Sequence, residues 1–144
     1  MYADFNLEEK FLINTDKVLS KVIKTNGHVK FSKRKGDPFN TLVDIIISQF
    51  ISTMAAKSIK EKMLENFNEK YFKIENFENL SVIQIKNLGL SLNKAKSIKA
   101  VISWLEIQSM KNFFNLTQAE REKSLLKIFG IVPWSVDMFE MFCI

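Results

Sequence analysis

Residues 129 to 139 read Phe129-Gly130-Ile131-Val132-Pro133-Trp134-Ser135-Val136-Asp137-Met138-Phe139, a pattern that predicts the end of one helix, a turn pivoting on glycine, and the start of a second helix. Upstream, Thr117-Gln118-Ala119-Glu120 fits a capping box, and Leu125, Leu126 and Phe129 place apolar side chains at helical spacing before Gly130 can stop the helix. Such a turn aims backbone N–H groups and a fresh helix N-terminus outward, which favours an anionic phosphate. Nucleic acid is the first partner class to consider.

Composition agrees without deciding. The chain has 144 residues, 47% of them hydrophobic, enough for one ordinary core and too few for two, so a single domain over 1–144 is expected. Lys and Arg number 21 against 16 Asp and Glu, for a formal charge of +5 and a pI near 9.3. That excess suits a polyanion, although many proteins with no such partner share it. No run approaches the roughly 18 apolar residues of a membrane span, and Asp4, Glu8 and Glu9 break the order of a secretion signal. A soluble protein of the cytoplasm, or of the nucleus in a eukaryote, is expected. Cys143 is the only cysteine, which excludes an internal disulfide and a cysteine cluster for zinc or iron–sulfur, and no cofactor is expected.

Four glycines and two prolines among many helix formers argue for an all-α domain with short connections. A first helix is expected from Asp16 to a stop at Gly27, its stripe of Val18, Leu19, Val22 and Ile23 facing a core. His28 to Gly36 holds Lys30, Lys33, Arg34 and Lys35; it is either a solvated loop or a segment lying along phosphates. His28, with no second histidine, is expected as an exposed loop residue. Asp37 and Pro38 open a helix that is apolar nearly all round, from Phe39 through Leu42, Val43, Ile45, Ile46 and Ile47 to Phe50, and therefore central. Ser52 or Thr53 caps the next helix, Ser81 and Gln84 form another capping box before Gly89, and Ser91 starts a long helix from which Lys94, Lys96 and Lys99 project. Gly89 and Gly130 sit in similar settings, with Ala95 and Val136 at equal distances beyond them. This is either a weak internal repeat or the glycine stop that any two helix hairpins share.

Set in order, these blocks resemble the helix-hairpin-helix (HhH-GPD) DNA glycosylase superfamily, and within it the DNA-3-methyladenine glycosylase II type. Asp37-Pro38-Phe39, the apolar helix, Ser48-Gln49-Phe50-Ile51-Ser52 and Ala55-Ala56 are similar to the family's "Asp-Pro-Phe, apolar helix, Gln-Gln-x-Ser, Ala-Ala". Leu88-Gly89-Leu90-Ser91 with Lys94-Ala95 resembles "Leu-Gly-x-Ser-x-x-Lys-Ala", and Gly130 to Val136 resembles "Gly-Ile-Gly-Pro-Trp-Thr-Ala". The resemblance implies an all-α helix-hairpin-helix bundle with its hairpin at about 125–139. It implies base excision repair of alkylated bases in double-stranded DNA, by nucleotide flipping and hydrolysis of the N-glycosidic bond.

The site residues implied are Gly130, Ile131 and Val132 for backbone N–H contacts to DNA, and Ser135 for a hydroxyl at the helix start. Gln49 would lie at the opened strand, Phe50 would be the wedge filling the vacated stack, and Trp134 would border the base pocket. Gln49 reads equally as a polar residue bonding a nearby backbone group, and Trp134 as packing for the hairpin. Val132 stands where the family has a glycine; a β-branched residue fits poorly if that position needs positive φ. The family's catalytic aspartate lies past the helix that follows the Trp-Thr motif, hence beyond Ile144. Asp137 and Glu140 read as dipole partners in the first turns of that helix. Three readings follow: a glycosylase represented by its N-terminal and central part, a non-catalytic helix-hairpin-helix DNA-binding module, or a helical interaction domain. Met138, Phe139, Met141 and Phe142 are expected to leave apolar surface open to self-association.

Overall fold

The structure, a computed structural model, describes residues 2–3, 6–28, 31–32 and 37–144. The basic residues Lys30, Lys33, Arg34 and Lys35 lie outside the described residues. The chain forms two compact units, residues 1–34 and 35–144, where length alone led to an expectation of one domain. No helix among the described residues is long and apolar enough to cross a membrane.

In the first unit a two-residue strand, β1 (Tyr2–Ala3), pairs antiparallel with β2 (Phe31–Ser32), Tyr2 opposite Ser32. Between them lie α1 (Asn6–Thr15) and α2 (Lys17–Asn26). Asp16 caps α2 by accepting from the amides of Val18 at 2.8 Å and Leu19 at 2.9 Å, and Gly27 ends it at φ 76°. The helix expected from Asp16 to Gly27 is thus present, but α1 before it was not foreseen. The stripe on α2 does not face a core: the helix buries none of its residues. A unit this small cannot enclose one, since below about 40 residues too little of the chain is interior. Among the described residues of this unit the buried group is instead Glu9, which meets the Nδ1 of the exposed His28 ring.

The second unit is all helix: α3 (Pro38–Ser48), α4 (Thr53–Phe67), α5 (Val82–Asn87), α6 (Leu92–Ile107), α7 (Met110–Phe114), α8 (Gln118–Leu125) and α9 (Pro133–Cys143), with one 3-10 turn at Ile74–Asn76. Asp37 caps α3 through the Asn40 amide at 2.9 Å, with Pro38 where its missing N–H costs nothing. Phe39, Leu42, Val43, Ile45, Ile46 and Ile47 are all buried, because α4, α6 and α9 pack on different sides of α3. The expected caps are in place: Ser52 on α4, Ser81 with Gln84 on α5, Ser91 on α6, and Thr117 with Glu120 on α8.

Aromatic rings fill the core beside α3. Phe77 meets Phe39, Phe67 and Phe72 edge to face, with centroids 5.7, 5.1 and 5.7 Å away. Phe113 joins Trp104 to Phe139 in the same manner. Phe139 is therefore core, and the surface expected to open at the C-terminal end is smaller than foreseen. Met138, Cys143 and Ile144 are half-buried against the core, while Met141 is exposed.

Two outcomes are expected. Phe77→Ala should cost about 3–5 kcal/mol in chemical denaturation, because a fully buried ring at the centre of its cluster leaves a cavity. Glu120 is held below its ordinary carboxyl range, first by the Thr117 hydroxyl and then by the Thr117 amide. A depressed carboxylate contributes its full stabilisation above the unfolded-state pKa and loses it as pH falls through the folded value. The Thr117 amide resonance should accordingly shift on acidification, at a pH below the ordinary glutamate range; a midpoint within that range would contradict the cap.

Candidate nucleic-acid interface

The glycine-pivoted hairpin exists. α8 closes at Leu125, residues 126–132 make the turn, and α9 opens at Pro133 with Val132 as N-cap. Gly130 sits at φ 81°, a region that favours glycine, and a second constraint excludes a side chain there. A Cβ would lie 1.8 Å from Ser97 Oγ and 2.9 Å from Ser97 Cβ on α6, so the turn backbone rests directly on that helix. At Gly89, between α5 and α6, φ is 104° but nothing lies within 4 Å. Both turns follow one plan: positive-φ glycine, then a buried aliphatic residue, Leu90 or Ile131, then the N-cap of the next helix, Ser91 or Val132. Only the second glycine is needed for room as well as for angle.

Val132 departs from expectation. It lies at φ −118° and ψ 165°, extended backbone that a β-branched residue adopts readily, so the position does not require positive φ. Its side chain gives α9 no capping bond. The amides of Gly130 and Val132 donate to no group among the described residues, whereas that of Ile131 donates to Ile128 O at 3.1 Å and is already used. Ile131 is also buried, so two of the three amides expected to face a ligand are free to do so.

Gln49 and Ser135 turn inward: Gln49 takes the alternative of a polar residue bonding a nearby backbone group, while Ser135 does not offer the hydroxyl expected to face DNA. Ser135 is 0% exposed and Gln49 7%, and each satisfies the other: Gln49 Nε2 donates to Ser135 Oγ at 2.8 Å and to Gly130 O at 3.0 Å. A buried amide without partners would cost about 1–3 kcal/mol, so its donors are spent inside the protein. These bonds tie the C-terminal end of α3 to both sides of the turn. Phe50, the next residue, has φ 57° and is 94% exposed. Trp134, in the first turn of α9, is 48% exposed. It lines neither of two open depressions elsewhere on the surface, one along Leu7, Glu8, Phe11 and Leu12 and one around Glu61, Leu64 and Asn68.

The lysines expected to project from α6 divide. Lys94 Nζ donates to Ile47 O at 2.7 Å, and Lys99 Nζ to Glu78 O at 2.8 Å, while Lys96 stays exposed. Partial burial lowers the Lys94 ammonium below its ordinary range. Glu140, foreseen as a dipole partner in an early turn, lies near the end of α9 and pairs with Arg121 on α8. Arg121 Nε and one terminal nitrogen each reach it at 2.7 Å, and the other nitrogen meets Leu116 O. This pair, which sequence reasoning missed, braces the two hairpin helices against each other. Asp137 is exposed, and no group of carboxylates, histidines or cysteines among the described residues could hold a metal ion.

No family model matches the chain. A curated relative, alkylbase DNA glycosidase-like protein mag2 of Schizosaccharomyces pombe, is 24% identical over 97% of this chain and 68% of its own length. Among solved structures, a DNA-3-methyladenine glycosidase from Bacillus halodurans is 26% identical at TM-score 0.77, over 99% of this chain and 66% of that one. The Schizosaccharomyces pombe 3-methyladenine DNA glycosylase Mag1, solved with abasic DNA, superposes at TM-score 0.80 with 22% identity, over 94% of this chain and 69% of that one. A Clostridium acetobutylicum 8-oxoguanine glycosylase/lyase, solved with DNA, reaches 0.74 with 17% identity, over 98% and 52%. The chain thus spans about two thirds of the length of the alkylbase relatives it matches.

The two glycines separate angle from room. Gly89→Ala should cost about 1–2 kcal/mol from the left-handed backbone alone. Gly130→Ala should cost about 2–4 kcal/mol, because Ser97 must also move. Equal losses in thermal melts would show that the close approach to α6 carries no weight. The hairpin with its doubly constrained glycine, on a bundle that superposes with those structures over nearly the whole of this chain, gives the chain the fold of the helix-hairpin-helix DNA glycosylases, the proteins to which it is similar.

Proposed function

We propose that the protein acts in base excision repair as a DNA glycosylase for alkylated bases of the 3-methyladenine type. The Gly130 turn holds the sugar–phosphate strand, with the free amides of Gly130 and Val132 as donors that add no charge. Phe50 enters the duplex as the damaged nucleotide leaves it, and Trp134 borders the place where an electron-poor, cationic base would rest. The protein would work wherever the genome is, in the cytoplasm of a bacterium or the nucleus of a eukaryote. The observation that carries this reading is Phe50: a fully presented aromatic ring on strained backbone, one residue from a glutamine bonded to the hairpin.

Hydrolysis of the glycosidic bond also needs a carboxylate facing the positive charge that grows on the sugar. Glu140 is committed to Arg121, and Asp137 stands exposed on α9, so neither is arranged for that task. On this reading the carboxylate belongs to the part of the relatives' length that this chain does not span. The same observation favours a second reading, a helix-hairpin-helix module that binds DNA and cuts nothing.

Release of 3-methyladenine from alkylated duplex separates them, measured for this chain and for one extended to the relatives' length. The glycosylase reading expects duplex binding that weakens steeply with salt in both, and base release by the extended chain. Binding without release in both would establish the second reading. Absence of duplex binding in both would overturn both readings.

A further inference from the structure

We infer that Gln49 is a positioning residue: its two side-chain bonds lock the hairpin to the backbone that presents Phe50, so that gripping the strand and filling the vacated stack are coupled. This rests on the glycosylase reading, in which Phe50 is the wedge.

Several hydrogen bonds converge on the end of α3. The Gln49 amide donates to Ile45 O at 3.1 Å, closing the helix, and Lys94 Nζ from α6 takes Ile47 O at 2.7 Å. The Gln49 side chain reaches 81 and 86 residues along the sequence to Gly130 O and Ser135 Oγ. Immediately after this anchored point the chain turns left-handed at Phe50, which bulky side chains rarely do and which persists only where the surroundings over-determine it. The strained turn does not bury the ring; it holds the ring in water, 94% exposed. Strain and apolar exposure are both unfavourable in the free protein, and together they prepare a ring for an occupant outside it. Gln49, being enclosed, cannot itself touch that occupant. Its effect reaches DNA through Phe50 on one side and Gly130 on the other.

The experiment keeps the full chain and uses a duplex carrying a tetrahydrofuran abasic analogue with 2-aminopurine beside it, whose fluorescence rises when it unstacks. Gln49→Met with Ser135→Ala removes the donor and its buried acceptor together and leaves only the part-buried Gly130 carbonyl without its partner, so the fold should survive, as a thermal melt checks. Gln49→Glu, which keeps the volume and exchanges the donors for an acceptor, is read in the same way. The expected result is a several-fold smaller fluorescence rise, down to the level of Phe50→Ala, with a lesser loss of duplex affinity. Adding Phe50→Ala to the double variant should lower the rise no further, because the two changes break one coupled unit. A folded variant that keeps the wild-type rise overturns the inference, and so do losses that simply multiply. If Phe50→Ala keeps the full rise, the wedge is wrong and the coupling falls with it. If the wild-type chain fails to bind the duplex, the repair reading falls first.

Discussion

A helix with apolar side chains on nearly every face has to be enclosed on nearly every face, and that demand from α3 organises the larger unit. Phe39 to Ile47 cannot be covered by a single neighbour, so α4, α6 and α9 are drawn around them. At about 25 cal/mol per Å² of apolar surface removed from water, this enclosure outweighs any single polar contact in the unit. Its position also fixes where the helix must stop. The C-terminal end of α3 emerges beside the turn between α8 and α9, and the first polar side chain it brings there is Gln49.

What happens at that end follows from hydrogen-bond bookkeeping. A glutamine amide at 7% exposure has to find acceptors, and the available ones are a turn carbonyl and a serine hydroxyl that would otherwise be stranded. Lys94 and Lys99 also reach carbonyls of other segments, Lys94 at a partly buried position and Lys99 at the surface. Three features that look independent along the chain, namely the apolar helix, the glycine turn and the lysines after Gly89, are one arrangement in space.

Much of this was legible beforehand, for identifiable reasons. Asp16, Asp37, Ser81, Ser91 and Thr117 each announce a helix start by chemistry local to a few residues, and each caps one. α3 was recognisable as central from its all-round apolar pattern, and Gly130 as a pivot from what flanks it. What escaped depends on partners distant in sequence. For Gln49 the sequence left ligand contact and a bond to a nearby backbone group both open, and for Ser135 it suggested ligand contact; only the fold shows that the two face each other. The Arg121–Glu140 pair spans two helices and leaves no local mark. Ile131 looked available because a sequence does not reveal which amide a turn uses internally, and Val132 looked strained because its φ was judged from a glycine in relatives rather than from its own extended backbone. α2 misled for a different reason: its amphipathic stripe is real, but the unit that carries it is too small to have an interior.

The brace between α8 and α9 has a further consequence. Arg121 and Glu140 are largely withdrawn from solvent, at 11% and 14% side-chain exposure, and meet in a two-pronged geometry, so mobile ions scarcely screen them. Attraction between an outward-facing turn and any anion beyond it is shielded in the ordinary way. Ionic strength therefore acts on one side of the turn and not on the other, and brine that detaches a bound anion would leave the loop in the shape needed to take it up again.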